Sequence, residues 1–72
     1  MVVASKNKKV TFAKLKGLRA EHGISMARMA KVIGISESAY IARETGRRDF
    51  KVSEARTISK YFKSTMEEIF FS

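Results

Sequence analysis

Most of the side chains able to do chemistry in this chain are cations. Arg47, Arg48 and Lys51 crowd a short stretch with Asp49 and one aromatic, Phe50. Lys6, Lys8 and Lys9 cluster with Asn7 near the N-terminus. Groups suited to covalent or proton-transfer chemistry are few. There is a single histidine, His22, and no cysteine, which rules out disulfides and thiolate metal sites. Glu67 and Glu68 are adjacent, but they fit the first turn of a helix better than a catalytic pair. No glycine-rich phosphate loop and no metal-ligand spacing is visible. An enzyme is therefore not supported, and no cofactor, metal or small-molecule substrate is expected. What remains is charge. Fifteen Lys and Arg face seven Asp and Glu, a net +8 on 72 residues. That balance favours a polyanion, most simply nucleic acid, although an acidic protein surface satisfies it too.

The elements that must position these cations read as all-α. Thr11 is placed to cap a first helix from Phe12 to about His22, with Phe12, Leu15, Leu18 and weakly Ala20 inward and Lys14, Lys16, Arg19 and Glu21 in water. Ser25 caps a second helix carrying Met26, Met29, Ala30 and Ile33 at helical spacing. Gly34 stops it, Ile35 plugs the corner, and Ser36 caps a third helix that Gly46 ends. Two helices joined by a short glycine-bearing turn make a helix-turn-helix unit. Phe50 anchors the basic loop that follows. Ser53 is the expected cap of a fourth helix through about Phe62, with Ala55, Ile58, Tyr61 and Phe62 inward. Thr65 to Glu68 has the pattern of a capping box for a short fifth helix, Met66 to about Phe71. Residues 1–10 show no helical period and read as a basic, mobile arm, leaving 11–72 as one domain. No apolar run reaches membrane-spanning length and no signal peptide appears, so a soluble, intracellular protein is expected.

The order of these motifs resembles the Cro/CI (Xre-type) helix-turn-helix family. Gly-Ile-Ser opens the second helix, Ile-Gly-Ile-Ser precedes the third, Glu-x-Gly ends it, and Thr-Met-Glu-Glu-Ile-Phe-Phe closes the chain. The resemblance implies a compact five-helix domain whose third helix, 37–45, is the recognition helix. It assigns base reading to Glu37, Ser38 and Ala42, with Ile41 beside them. It assigns phosphate contacts to the start of the second helix, to Arg28, and to Arg47, Arg48 and Lys51. Arg43 stands where the family commonly has an apolar or aromatic residue, and reaches either Glu44 or phosphate.

Within the family the chain is most similar to the small modulators of repression of lactococcal temperate phages. That likeness implies a bacteriophage transcription regulator of the lysis-lysogeny switch. Such an anti-repressor binds the N-terminal DNA-binding domain of a phage repressor, and as a lone monomer covering one half-site it binds operator DNA weakly unless it pairs. Two departures support a protein partner. Met26 stands where the family usually has a glutamine, and cannot donate a hydrogen bond. The third helix lacks the Arg, Asn and Gln that pair best with base edges. Met26 and Tyr40 then become candidate apolar contacts beside Ile41. The alternative is a Cro-like protein that reads operator DNA directly and sequence-specifically.

Overall fold

Short polar caps at Ser25, Ser36 and Thr65 and left-handed residues at Gly23, Gly34, Gly46 and Lys63 divide the chain. The computed structural model describes residues 2–3 and 12–71. Among the described residues there are five helices: α1 Ala13–Glu21, α2 Met26–Ile33, α3 Glu37–Glu44, α4 Val52–Tyr61 and α5 Met66–Phe70. Ser25 Oγ accepts from the Arg28 N–H at 3.1 Å, and Ser36 Oγ accepts from the Ala39 N–H at 3.1 Å. Each satisfies one of the unpaired amides at a helix start. Thr65 and Glu68 cap α5 reciprocally, as their spacing predicts.

The α2–α3 corner depends on Gly34. Its φ of 78° is left-handed, and the Ile35 N–H then reaches back to the Ala30 carbonyl at 2.9 Å. This closes the end of α2 as a Schellman turn, which a β-carbon at Gly34 would strain. Ile35 packs against the core from the corner. At the end of α4 the same conformation falls on a non-glycine, Lys63, at φ 54°.

The core is built where the five helices converge. Leu15, Met29, Tyr40, Phe50, Ala55 and Ile58 are fully buried, joined by Phe12, Ala30, Ile69 and Phe70. Phe12, Phe50 and Phe70 meet edge to face, with ring centres 5.3 to 5.4 Å apart. They come from the entry to α1, the basic loop and the last helix, so one aromatic cluster ties both ends of the domain to the loop. Each large apolar side chain so buried contributes about 1.5–3 kcal/mol.

Several expectations need correction. Of residues 1–10, read as a mobile arm, the described part is Val2–Val3, which forms a strand, β1, antiparallel to β2, Phe50–Lys51, with Val2 opposite Lys51 and Val3 opposite Phe50. Lys6, Asn7, Lys8, Lys9 and the predicted cap Thr11 lie outside the described residues. Helix α4 starts at Val52 rather than after Ser53, because Glu54 Oε1 accepts from the Lys51 N–H at 2.9 Å and satisfies that end of the helix. Tyr61 is 43% exposed rather than inward. Ala55, Ile58, Ser59 and Phe62 share one stripe of α4, and Tyr61 lies roughly 100° round the helix from it. Ala20 is exposed.

Candidate nucleic-acid interface

Helix α3 has two unlike faces. Its inner face carries Tyr40 and Glu44, four residues apart and both with no exposed surface. A buried carboxylate requires partners on its oxygens. Arg19, from α1, donates from Nε to Glu44 Oε2 at 2.9 Å and from Nη2 to Oε1 at 3.0 Å. The Tyr40 hydroxyl donates to Oε2 at 2.6 Å, and Arg19 Nη1 reaches the Ile24 carbonyl at 2.9 Å. The Phe12 N–H donates to the Glu44 carbonyl at 3.3 Å. Hydrogen bonding to Glu44 holds the Arg19 guanidinium even more firmly protonated than usual. Burial, with help from the same carboxylate, pushes the Tyr40 hydroxyl far above the ordinary phenol range, so it remains a donor. This network fixes the tilt and rotation of α3 against α1.

The outer face carries the residues assigned to recognition. Glu37 and Ser38 are exposed in the first turn, and Ile41 and Ala42 are half-buried further along. Ser38 Oγ lies 3.4 Å from the capping Ser36 Oγ. Ser38 and Ala42 line one shallow cleft with Ala39, Arg43 and Arg48. The basic loop is folded back onto the same end of α3, since the Arg47 and Arg48 N–H groups both donate to the Ala42 carbonyl, at 2.9 and 3.0 Å. Arg47, Arg48 and Lys51 are exposed. Arg28 is exposed in the first turn of α2 and lines a second cleft with Ser25, Lys31 and Tyr61. Among the described residues these four cations form no ion pair. An uncompensated cation beside free helix-start amides is suited to phosphate.

Three residues sit differently from the sequence reading. Tyr40 was a candidate apolar partner contact, but it is fully buried, edge-on to Phe50 at 6.0 Å. Met26 is half-buried and packs against the core cluster, so part of it is committed to the fold. Arg43, expected to reach Glu44 or phosphate, is instead paired with Glu54. Its Nε donates to Glu54 Oε1 at 3.0 Å, and its Nη1 donates to the Ala39 carbonyl at 3.1 Å. Glu44 is unavailable to it because Arg19 and Tyr40 occupy both carboxylate oxygens.

The sequence reading missed Arg19, which it placed in water, and gave no role to Glu54. Glu44 stood within the Glu-x-Gly signature only as a possible partner of Arg43. The only available signal was an acid at the inward phase of an otherwise amphipathic helix, which demands a cation from elsewhere in the chain. Among the described residues no three His, Cys, Asp or Glu side chains gather as metal ligands. No described helix is long and apolar enough to cross a membrane.

This architecture is shared with known proteins. A transcriptional regulator from Listeria innocua superposes with a TM-score of 0.78 at 17% identity, over 83% of this chain and 56% of that one. The present chain thus spans little more than half of that protein. A restriction-modification controller protein from Aeromonas hydrophila superposes with a TM-score of 0.70 at 23% identity, over 79% of this chain and 86% of the other. At these identities the likeness concerns the fold. Sequence similarity goes further: an uncharacterized HTH-type transcriptional regulator of Methanocaldococcus jannaschii is 39% identical over 57 residues, 79% of this chain and 86% of that protein. The helix-turn-helix family model, HTH_3, matches residues 15–69, from the buried Leu15 to the buried Ile69, and so spans both the α2–α3 unit and the core that supports it. The chain belongs to this helix-turn-helix family of transcriptional regulators.

Proposed function

We propose that this protein regulates transcription by binding operator DNA directly, with α3 in the major groove. Glu37, Ser38, Ile41 and Ala42 face the base edges. Arg28, Arg47, Arg48 and Lys51 hold the flanking phosphates. One observation carries this reading: Ser38, Ala42 and Arg48 line a single cleft on the outer face of α3, while Tyr40 is turned wholly into the core. The face is therefore polar at its first turn and bordered by cations that form no ion pair among the described residues, which suits a groove between phosphates. Selection from a random duplex pool tests it. A recurrent sequence should emerge, and its affinity should fall steeply with salt, by a slope of about 0.9 for each phosphate contacted. Sequence-blind binding would overturn direct recognition.

A second reading keeps the protein partner. It is favoured by the chemistry of the outer face: among its four residues none offers a bidentate donor, and Arg43, the only arginine on α3, is held by Glu54. In that reading the protein is an anti-repressor of the phage type. It occupies the N-terminal DNA-binding domain of a repressor and alters its operator occupancy. Titration of labelled operator with and without the repressor domain separates the two. A complex with the repressor domain in the absence of DNA supports the second reading, and its absence at micromolar concentrations removes it.

A further inference from the structure

The carboxylate of Glu54 sits at a junction that direct DNA binding does not by itself explain. Glu54 is a buried residue in the first turn of α4, not part of the recognition helix. One of its oxygens, Oε1, accepts from two elements at once: from Arg43 Nε on α3 at 3.0 Å and from the Lys51 N–H of the basic loop at 2.9 Å. Arg43 in turn lines the outer cleft of α3 with Ser38, Ala42 and Arg48. The pair is nearly dry, with side-chain exposures of 16% for Arg43 and 8% for Glu54. Arg43 is thus a cation at the edge of the reading face whose charge is matched from α4.

We infer that Glu54 is a positioning and specificity-determining residue that withholds Arg43 from DNA phosphates. A guanidinium on the reading face binds any duplex, because phosphate contacts carry no sequence information. Pairing it with Glu54 removes that indiscriminate attraction. The same oxygen pins the loop carrying Arg47 and Arg48 at a fixed distance from α3, so the contacts that remain are made in one register. Sequence preference then rests on Glu37, Ser38, Ile41 and Ala42 rather than on an added cation. This inference rests on the direct-binding reading proposed above.

The test uses the whole chain, the duplex selected by the wild-type protein and a random duplex of equal length. Glu54→Gln retains an oxygen for the Lys51 N–H and removes the charge. It should tighten binding to the random duplex by roughly tenfold, the scale of one charged hydrogen bond, and steepen its salt slope by about one ion. The preference for the selected duplex should fall correspondingly. Adding Arg43→Gln to Glu54→Gln should return the salt slope to the wild-type value. Arg43→Gln alone, which leaves Glu54 bonded to the loop, should leave the wild-type slope unchanged. If Arg43→Gln alone lowers the slope by one, Arg43 already contacts phosphate and the inference fails. An unchanged preference and slope in Glu54→Gln, with melting confirming a folded domain, also overturns it. If wild-type protein selects no duplex, the direct-binding reading fails and this inference with it. Selection that succeeds while the Glu54 variant is indifferent rejects the inference alone.

Discussion

The two faces of α3 differ in how completely their polar groups are used. On the inner face each oxygen of the Glu44 carboxylate accepts at least one bond, and the Tyr40 hydroxyl is committed to the same acid. On the outer face Glu37 is exposed and, among the described residues, the Ser38 hydroxyl makes only a long contact with Ser36. The same eight-residue helix therefore has one side that specifies its placement and another left open for a ligand. Stability and recognition are separable here, and substitutions should sort by face.

The largest effect is expected at Glu44. Glu44→Ala leaves the Arg19 guanidinium and the Tyr40 hydroxyl without their shared acceptor. Breaking a buried pair from one side costs about 3–5 kcal/mol. A domain of this size has little more to lose. Chemical denaturation should show a largely unfolded protein at room temperature. A loss below about 1 kcal/mol would mean that α3 is not held by this network.

Tyr40 gives a smaller and pH-dependent test of the same face. Tyr40→Phe keeps the ring against Phe50 and removes one donor, for a loss of about 1–2 kcal/mol. In the wild type the hydroxyl titrates above its ordinary value of 10.0 because burial and Glu44 disfavour the phenolate. The sign follows: folding is stabilised below that pH, and this contribution is lost as pH rises and the unfolded chain ionises first. The chain has two tyrosines, so Tyr61→Phe leaves Tyr40 as the sole reporter. Its phenolate absorbance should appear only together with alkaline unfolding. Ionisation while the helical signal persists would place Tyr40 nearer solvent than the fold does.

How much of this contrast the sequence discloses depends on range. Caps and stops are local, so Ser25, Ser36, Gly34 and the Thr65–Glu68 box are legible from residues three or four apart. The helical periods of α2 and α3 are legible for the same reason. Pairings across long separations are not. Arg19 meets Glu44 over 25 positions, and its own helix gives it a polar phase that reads as solvent. Arg43 has an acid at its very next position, yet α3 turns Glu44 inward and leaves Glu54, 11 residues on, as its partner. Val2 and Val3 carry no strand signal of their own, because the β2 edge that receives them is supplied by the basic loop. The loop cations are legible as a group by composition, but their closeness to α3 comes from two backbone bonds to the Ala42 carbonyl, which no side-chain pattern encodes.

The outer rim should respond in binding rather than in stability. Replacing Arg47 and Arg48 together by alanine removes two exposed cations with no ion partner among the described residues. Stability should change by less than about 0.5 kcal/mol. The salt slope of DNA binding should fall by about two, and equally for selected and random duplexes, since phosphate contacts do not read sequence. A loss confined to the selected duplex would move one of these arginines from the phosphates to the bases.

The smallest expected change in stability, and the sharpest test of what the open face meets, is at Glu37. Its carboxylate stands in the first turn of α3, where the helix dipole favours a negative charge by about 0.3–1 kcal/mol. Glu37→Gln should therefore cost only a few tenths of a kcal/mol in denaturation. Its effect on binding depends on the ligand. Against DNA, the carboxylate repels phosphates everywhere and is useful only where it accepts from a cytosine amino group. The glutamine variant should then bind random duplex more tightly and change its base preference at one position of the selected site. Against a basic protein surface, the same substitution removes an attraction and weakens the complex, with no effect on any base preference. Read on random duplex and on the repressor domain, the sign of the change distinguishes the two ligands, because the inner face holds α3 in place whichever residue occupies position 37.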